Sequence, residues 1–187
     1  MITNVVAEEL PGIKNIVIHK IPKTYDNVIF LDKNDQKINI NEYTGNLLIL
    51  NFWATWCEPC KKQMYHLNKF HQHFNNIGFK VLTVNTDTPK SMGKVKSFIR
   101  SKKFKFLVAV DPNGQVKKKL KAELMPTTIL VDKDGSVLYR HQGYYPGDED
   151  KILKHITDYF DAAGTIYDPY NIEERKGTLD KKVDIDF

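Results

Sequence analysis

Unbroken apolar character at residues 47–50, carried on through Phe52, predicts a strand buried on both faces over 47–52. Over residues 61–77 the apolar positions fall at 64, 67, 70, 74 and 77, which is helical spacing, and Gly78 reads as the C-cap. Phe79–Asn85 is a second buried strand. A strand–helix–strand unit of this length predicts a parallel pair with a right-handed crossover. A helix follows over 91–102, with Met92, Val95, Phe98 and Ile99 on one face. After it come a short strand, Leu107–Val110, a turn at 111–114 and a short Lys-rich helix over 116–120. Strands at 127–131 and 136–141 are joined at Asp134-Gly135, a strong hairpin signal. The last helix, 148–162, carries Ile152, Ile156 and Phe160 in register and stops at Gly164. Upstream, residues 16–18 read as a short strand and 28–40 as a hairpin turning at 32–35. The pattern is α/β. It divides into an N-terminal extension (1–24), a core domain (25–163) and a polar tail (164–187). The tail lacks periodicity, so deleting 166–187 is expected to leave fold and activity intact.

The chain's two cysteines, Cys57 and Cys60, stand where the first buried strand turns into the long helix. Free N–H groups and the dipole at a helix start stabilise an anion, so Cys57 should ionise below the ordinary thiol value. Two intervening residues let the second sulfur reach the first. Pro59 falls in the first turn, where a missing N–H costs nothing. The position makes Cys57 the expected nucleophile and Cys60 the resolving thiol.

The stretch Asn51-Phe52-Trp53-Ala54-Thr55-Trp56-Cys57-Glu58-Pro59-Cys60 resembles the active site of the thioredoxin superfamily, most closely the TlpA/ResA/CcmG type of thiol–disulfide oxidoreductase. The resemblance covers roughly residues 25–162. Met125-Pro126-Thr127-Thr128, ahead of a core strand, strengthens it. It implies a thioredoxin-like fold: a central mixed sheet flanked by helices, an N-terminal β-hairpin and a strand–helix insertion near residues 107–120. It also implies a cis bond before Pro126, facing the dithiol, with Met125 offering backbone groups to a substrate strand. Trp56, Glu58 and Pro59 would shape the site. Glu58 opposes thiol ionisation, which suits a reductant. Two positions depart from the family pattern. Gln63 stands where relatives often carry Glu, and Tyr65 where many carry a helix-kinking Pro. Asn51 occupies the place of thioredoxin's buried Asp and cannot act as a general base, which leaves the proton acceptor for Cys60 unassigned. The implied partners are disulfide-containing proteins, apocytochrome c among them, with a membrane thiol donor of the CcdA/DsbD type. No cofactor is implied, and a monomer is expected.

Composition narrows the alternatives. The chain has 187 residues, 41% apolar and 27% charged, with net charge +5. Only three of its 28 basic residues are Arg, and no nucleic-acid motif is present, so the charge reads as Lys on solvated faces. Residues 164–187 carry six acidic and four basic side chains, or −2, which leaves +7 on the body. No run is long enough to span a bilayer, and the first ten residues lack a secretory pattern. The exported habit of the resembling branch makes an extracytoplasmic site the expectation, with a leader or anchor removed ahead of Met1. Having both cysteines in the motif leaves no stray thiol to mispair in an oxidising compartment.

Other chemistry fits less well. Zinc needs four ligands, and His66, His71 and His73 on a helix would not converge on the cysteines, so they read as solvent-facing. Haem attachment needs His after Cys60, where Lys61 stands. The 132–135 segment has the wrong spacing for a calcium loop and reads as a turn. A thiol peroxidase would want Thr three residues before its cysteine, and Thr55 is two before Cys57. The remaining alternative is a non-catalytic thioredoxin-fold binding module, against which the intact Cys57, Cys60 and Pro126 count.

Overall fold

The structure is a computed structural model that describes residues 30–31, 37–38, 43 and 45–171. The expected strand at 16–18 and the turn at 32–35 lie outside the described residues. Among the described residues the strands are β1 (Phe30–Leu31), β2 (Lys37–Ile38), β3 (Leu47–Trp53), β4 (Phe79–Asn85), β5 (Leu107–Val110), β6 (Thr127–Val131) and β7 (Val137–Gln142). The α-helices are α1 (Glu58–Phe74), α2 (Met92–Lys102), α3 (Gln115–Lys119) and α4 (Asp148–Ala162). They build a mixed sheet in the order β2-β1-β5-β4-β3-β6-β7, the thioredoxin-like α/β arrangement. β3, β4 and β5 run parallel, while β6 and β7 return antiparallel. The short β1–β2 pair closes the other edge on β5, where the hairpin expected over 28–40 falls.

β3 is buried along its whole length because helices cover both sides of the sheet. Its residues alternate between faces. Leu47, Ile49 and Trp53 join α1, α2 and α4, whereas Leu48, Leu50 and Phe52 join α3. From α1, Met64, Leu67, Phe70 and Phe74 pack onto the first face with no exposed surface. Each such side chain contributes roughly 1.5–3 kcal/mol by leaving water. α1 runs unbroken through Tyr65 and ends in a 3₁₀ turn, Asn75–Ile77. There Gly78 takes φ +90°, a left-handed value that suits glycine, and the chain re-enters the sheet as β4.

One expectation changes. The tail does not simply leave the body. Tyr167 lies with its ring 5.7 Å from Phe74 and 5.9 Å from Phe160, and Tyr170 lies 5.3 Å from Phe70. The Tyr167 hydroxyl donates to Asp161 at 2.8 Å, and His73 Nε2 meets the Asp168 carbonyl at 2.7 Å. The physical reason is the outer seam of α1 and α4. Phe70, Phe74 and Phe160 line it, and two tyrosines three residues apart cover it without any helical repeat. Ile166, just ahead of Tyr167, remains exposed. Truncation after Gly164 is therefore expected to cost about 2 kcal/mol relative to truncation after Asn171, or roughly 4–8 °C in melting temperature. Equal melting temperatures for the two truncations would show that the aromatic strap adds nothing.

Candidate active site

β3 ends at Trp53, and the chain crosses a four-residue turn to reach α1. Cys57 N–H donates to the Ala54 carbonyl at 3.1 Å, which closes the turn. Cys57 is the N-cap of α1, and its Sγ accepts from the Cys60 N–H at 3.3 Å. Pro59, in the first turn, has no N–H to offer. The two sulfurs are joined in a disulfide, with Cα atoms 5.3 Å apart. Cys57 retains 5% of its surface and Cys60 none. Of the pair, only Cys57 keeps any exposed surface.

Glu58 points outward and pairs with Lys61 at 3.0 Å. Its charge is paired with a cation and screened by water, so its effect on the dithiol is smaller than its place in the motif suggests. Trp56 projects from the turn, 73% exposed. The Met125–Pro126 bond is cis, and the Met125 sulfur accepts from the Thr86 hydroxyl at 3.3 Å. Met125 packs on the same core cluster as Cys57 and Trp53. Phe52, Thr127 and Gln142 lie side by side across three strands, and Gly143 N–H donates to the Pro126 carbonyl at 2.7 Å. The segments carrying Trp56, Leu124 and Tyr145 thus leave the sheet at one end, and all three side chains are exposed.

Beneath the disulfide is a buried polar cluster. Asn51 Nδ2 donates to Gln63 Oε1 at 2.6 Å and to Thr128 Oγ1 at 3.1 Å. The Thr128 hydroxyl donates to Gln63 Oε1 at 3.2 Å. β3 and β6 place Asn51 opposite Thr128, and α1 brings Gln63 one turn past Cys60. All three groups are neutral, so none competes with a thiol for a proton near neutral pH. Replacing Thr128 by Val removes a donor and an acceptor from this set. A loss of about 1–3 kcal/mol in urea denaturation is expected, and a neutral result would show that the cluster does not hold β6 to α1.

The loop after β7 is anchored by acids at the start of α4. Glu149 Oε2 accepts from the Tyr144 hydroxyl at 2.8 Å and from the Gly147 N–H at 2.9 Å, and Oε1 lies 3.8 Å from His66. Asp148 accepts from Lys151 and from the Tyr145 N–H, both at 2.8 Å, with His141 at 3.2 Å. Burial alone would raise both carboxyls. Hydrogen-bond donors and nearby cations outweigh it and hold each below its ordinary value. Stability from a depressed carboxyl is present above its unfolded pKa of about 4 and is lost as pH falls through the folded value. The melting temperature should therefore fall between about pH 5 and 3, and less steeply in Glu149→Gln. An unchanged slope in that variant would count against the anchor.

The three helix histidines do not simply face solvent. His66 lies against Glu149 and Tyr144, and His73 lies against Phe74 and Tyr170. His71 is half-buried, and burial first, then Lys80, lowers its pKa. They sit in three separate surroundings. A cleft of about 640 Å³ opens between α4 and residues 165–170, lined in part by Lys154, Thr157, Tyr167 and Tyr170, and no dithiol residue lines it. One contributor escapes the sequence reading altogether. Asp87, in the loop after β4, grips Thr55 by backbone and side chain. Residues 86–90 follow no periodicity, and no spacing rule links 55 to 87.

Comparison with known proteins bears on the same site. The Redoxin family model matches residues 10–156. "Thiol-disulfide oxidoreductase ResA" of Bacillus thuringiensis subsp. konkukian is 32% identical over 139 residues, covering 74% of this chain and 79% of that protein. ResA of Bacillus subtilis is 33% identical over 112 residues, covering 60% and 62% respectively. A crystal structure from Chlorobium tepidum, of a protein assigned as a thiol:disulfide interchange protein DsbE, superposes with a TM-score of 0.67 at 30% identity. It covers 75% of this chain and 94% of that one.

Proposed function

This chain belongs to the Redoxin family and is a thiol–disulfide oxidoreductase, and we propose that it acts as a reductant of disulfides in partner proteins outside the cytoplasm. The observation that carries the proposal is the asymmetry of the Cys57–Cys60 pair: one sulfur at a helix N-cap with a sliver of exposed surface, the other fully enclosed. The Cys57 thiolate attacks one sulfur of the partner's disulfide. A Cys57–partner bond forms, and the partner's other sulfur leaves as a thiolate that takes up a proton. Cys60 then loses its proton and attacks Cys57 Sγ. The Cys57–Cys60 bond forms and the second partner thiol departs. Two electrons have passed to the partner, and the enzyme ends in the disulfide form.

A reducing direction is supported by how little would stabilise the thiolate. Sγ of Cys57 receives one backbone N–H, from Cys60, because Pro59 has none to give. Strong oxidants of this chemistry depend on a heavily stabilised thiolate. A modestly stabilised one favours donating electrons. The exposed side chains of Trp56, Leu124 and Tyr145 supply an apolar rim on which a protein partner can rest. Met125 and Pro126 form the wall beside it, where an extended partner strand can pair.

Apocytochrome c is one candidate partner, and a membrane protein of the CcdA/DsbD type is the candidate electron donor. Among the described residues no helix is long and apolar enough to cross a membrane. A peroxidase reading gains nothing from Thr55, whose hydroxyl is committed to Asp87 at 2.6 Å.

Insulin reduction by the purified protein tests the activity, and trapping tests the roles. Cys60→Ser should accumulate a mixed disulfide with insulin, since attack proceeds and resolution cannot. Cys57→Ser should trap none. Trapping by Cys57→Ser would reverse the two roles. A midpoint potential above about −150 mV would place the pair among the oxidants and sink the reductase reading.

A further inference from the structure

Asp87 belongs to none of the motifs that mark the dithiol, yet it is only 3% exposed and its carboxylate is aimed at the turn that carries Cys57. Oδ2 accepts from the Thr55 N–H and from Asn85 Nδ2, both at 2.7 Å, and Oδ1 accepts from the Thr55 hydroxyl at 2.6 Å. Asp87's own N–H donates to Asn85 Oδ1 at 3.1 Å. Every group that touches the carboxylate is a donor, and none is charged. Among the described residues no Lys, Arg or His pairs with it. A buried anion without a counter-ion is costly. A neutral amide could staple the same loop without that cost.

The staple falls on a critical residue. Thr55 and Trp56 are the two middle residues of the turn closed by Cys57 N–H on the Ala54 carbonyl. A second tie, Thr86 N–H to the Trp53 carbonyl at 2.9 Å, holds the same two loops together. The direction in which Cys57 enters α1 is therefore set from the β4 side. The charges carried by the elements that flank Cys57 can be named. From α1 come Glu58 and Lys61, paired with each other at 3.0 Å, and from the β6 side come Met125 and Pro126, both neutral. Asp87 supplies a charge that no partner cancels.

We propose that Asp87 is a positioning residue for Cys57 that also sets its reactivity. It holds the Thr55–Trp56 turn so that Sγ stays on the α1 N-terminus, and its negative charge opposes a second one on that sulfur. This rests on the reading of Cys57 as the attacking thiol and deepens it. When the disulfide takes up two electrons, a nearby anion favours the protonated thiol over the thiolate. That keeps the pair on the electron-donating side.

Asp87→Asn separates charge from shape. Its carbonyl oxygen, in the place of Oδ2, can accept both N–H groups, and its NH₂, in the place of Oδ1, can donate to the Thr55 hydroxyl. Thr55→Val does the reverse: the charge stays but loses one donor, so it is less neutralised. The readout is the pH profile of Cys57 alkylation by iodoacetamide in the reduced protein, followed by mass spectrometry of the Cys57 peptide. Asp87→Asn should move the profile to lower pH, with alkylation at pH 6 about three- to tenfold faster than wild type. Thr55→Val should move it to higher pH. Opposite shifts are the signature of charge, since a loosened turn would move both variants the same way. Coincident profiles, or shifts in one direction, overturn the proposal. Alkylation needs no protein substrate, so failure of the wild type to reduce insulin would overturn the reductase reading while leaving this comparison intact.

Discussion

The active end of the molecule depends on β3 being buried on both faces. A strand enclosed by β4 and β6 and covered by helices above and below has no freedom to slide, because a one-residue slip would send every side chain to the wrong face. The point where β3 stops, at Trp53, is therefore fixed, and so is the place where α1 can begin. Cys57 becomes the N-cap by that geometry. Its sulfur meets the Cys60 N–H, and the helix itself carries Cys60 into the enclosed position beneath. The difference in access between the two sulfurs follows from the strand–turn–helix join.

Around that join the polar groups divide by charge. The set next to the dithiol, Asn51, Gln63 and Thr128, is neutral and linked by three mutual hydrogen bonds. The carboxylates are placed outward or to the sides. Glu58 is in water with Lys61, Asp87 is in the loop that braces the Cys57 turn, and Asp148 and Glu149 stand at the start of α4. The last two are held by donors that include the backbone of the very loop they anchor, residues 143–147. That loop also closes onto Pro126 through Gly143. The loops that carry Trp56, Leu124 and Tyr145 thus leave the sheet at one end, each at a different strand end, and the apolar side chains exposed there are carried by backbone that is held.

The sequence alone determined the elements and the chemistry. Unbroken apolar runs and 3.6-residue patterns marked β3 through α4 with boundaries within a residue or a few, because burial follows the geometry of each element. The parity of β3 even places Asn51 on the α1 face with Ile49 and Trp53. The dithiol and the proline were legible because each depends on neighbours in the chain: a sulfur at a helix start, a proline before a core strand. What only the tertiary structure decided are the pairings between distant residues. Asp87 holds Thr55 from 32 positions away, Thr128 reaches Gln63 across 65, and His73 meets Asp168 across 95. Tyr167 and Tyr170 read as part of a polar tail, since an aromatic covering a seam between two helices needs no repeat of its own. Local periodicity reports which face of an element is buried. It carries no information about which partner buries it, and that is settled when the sheet order and the helix seams come together.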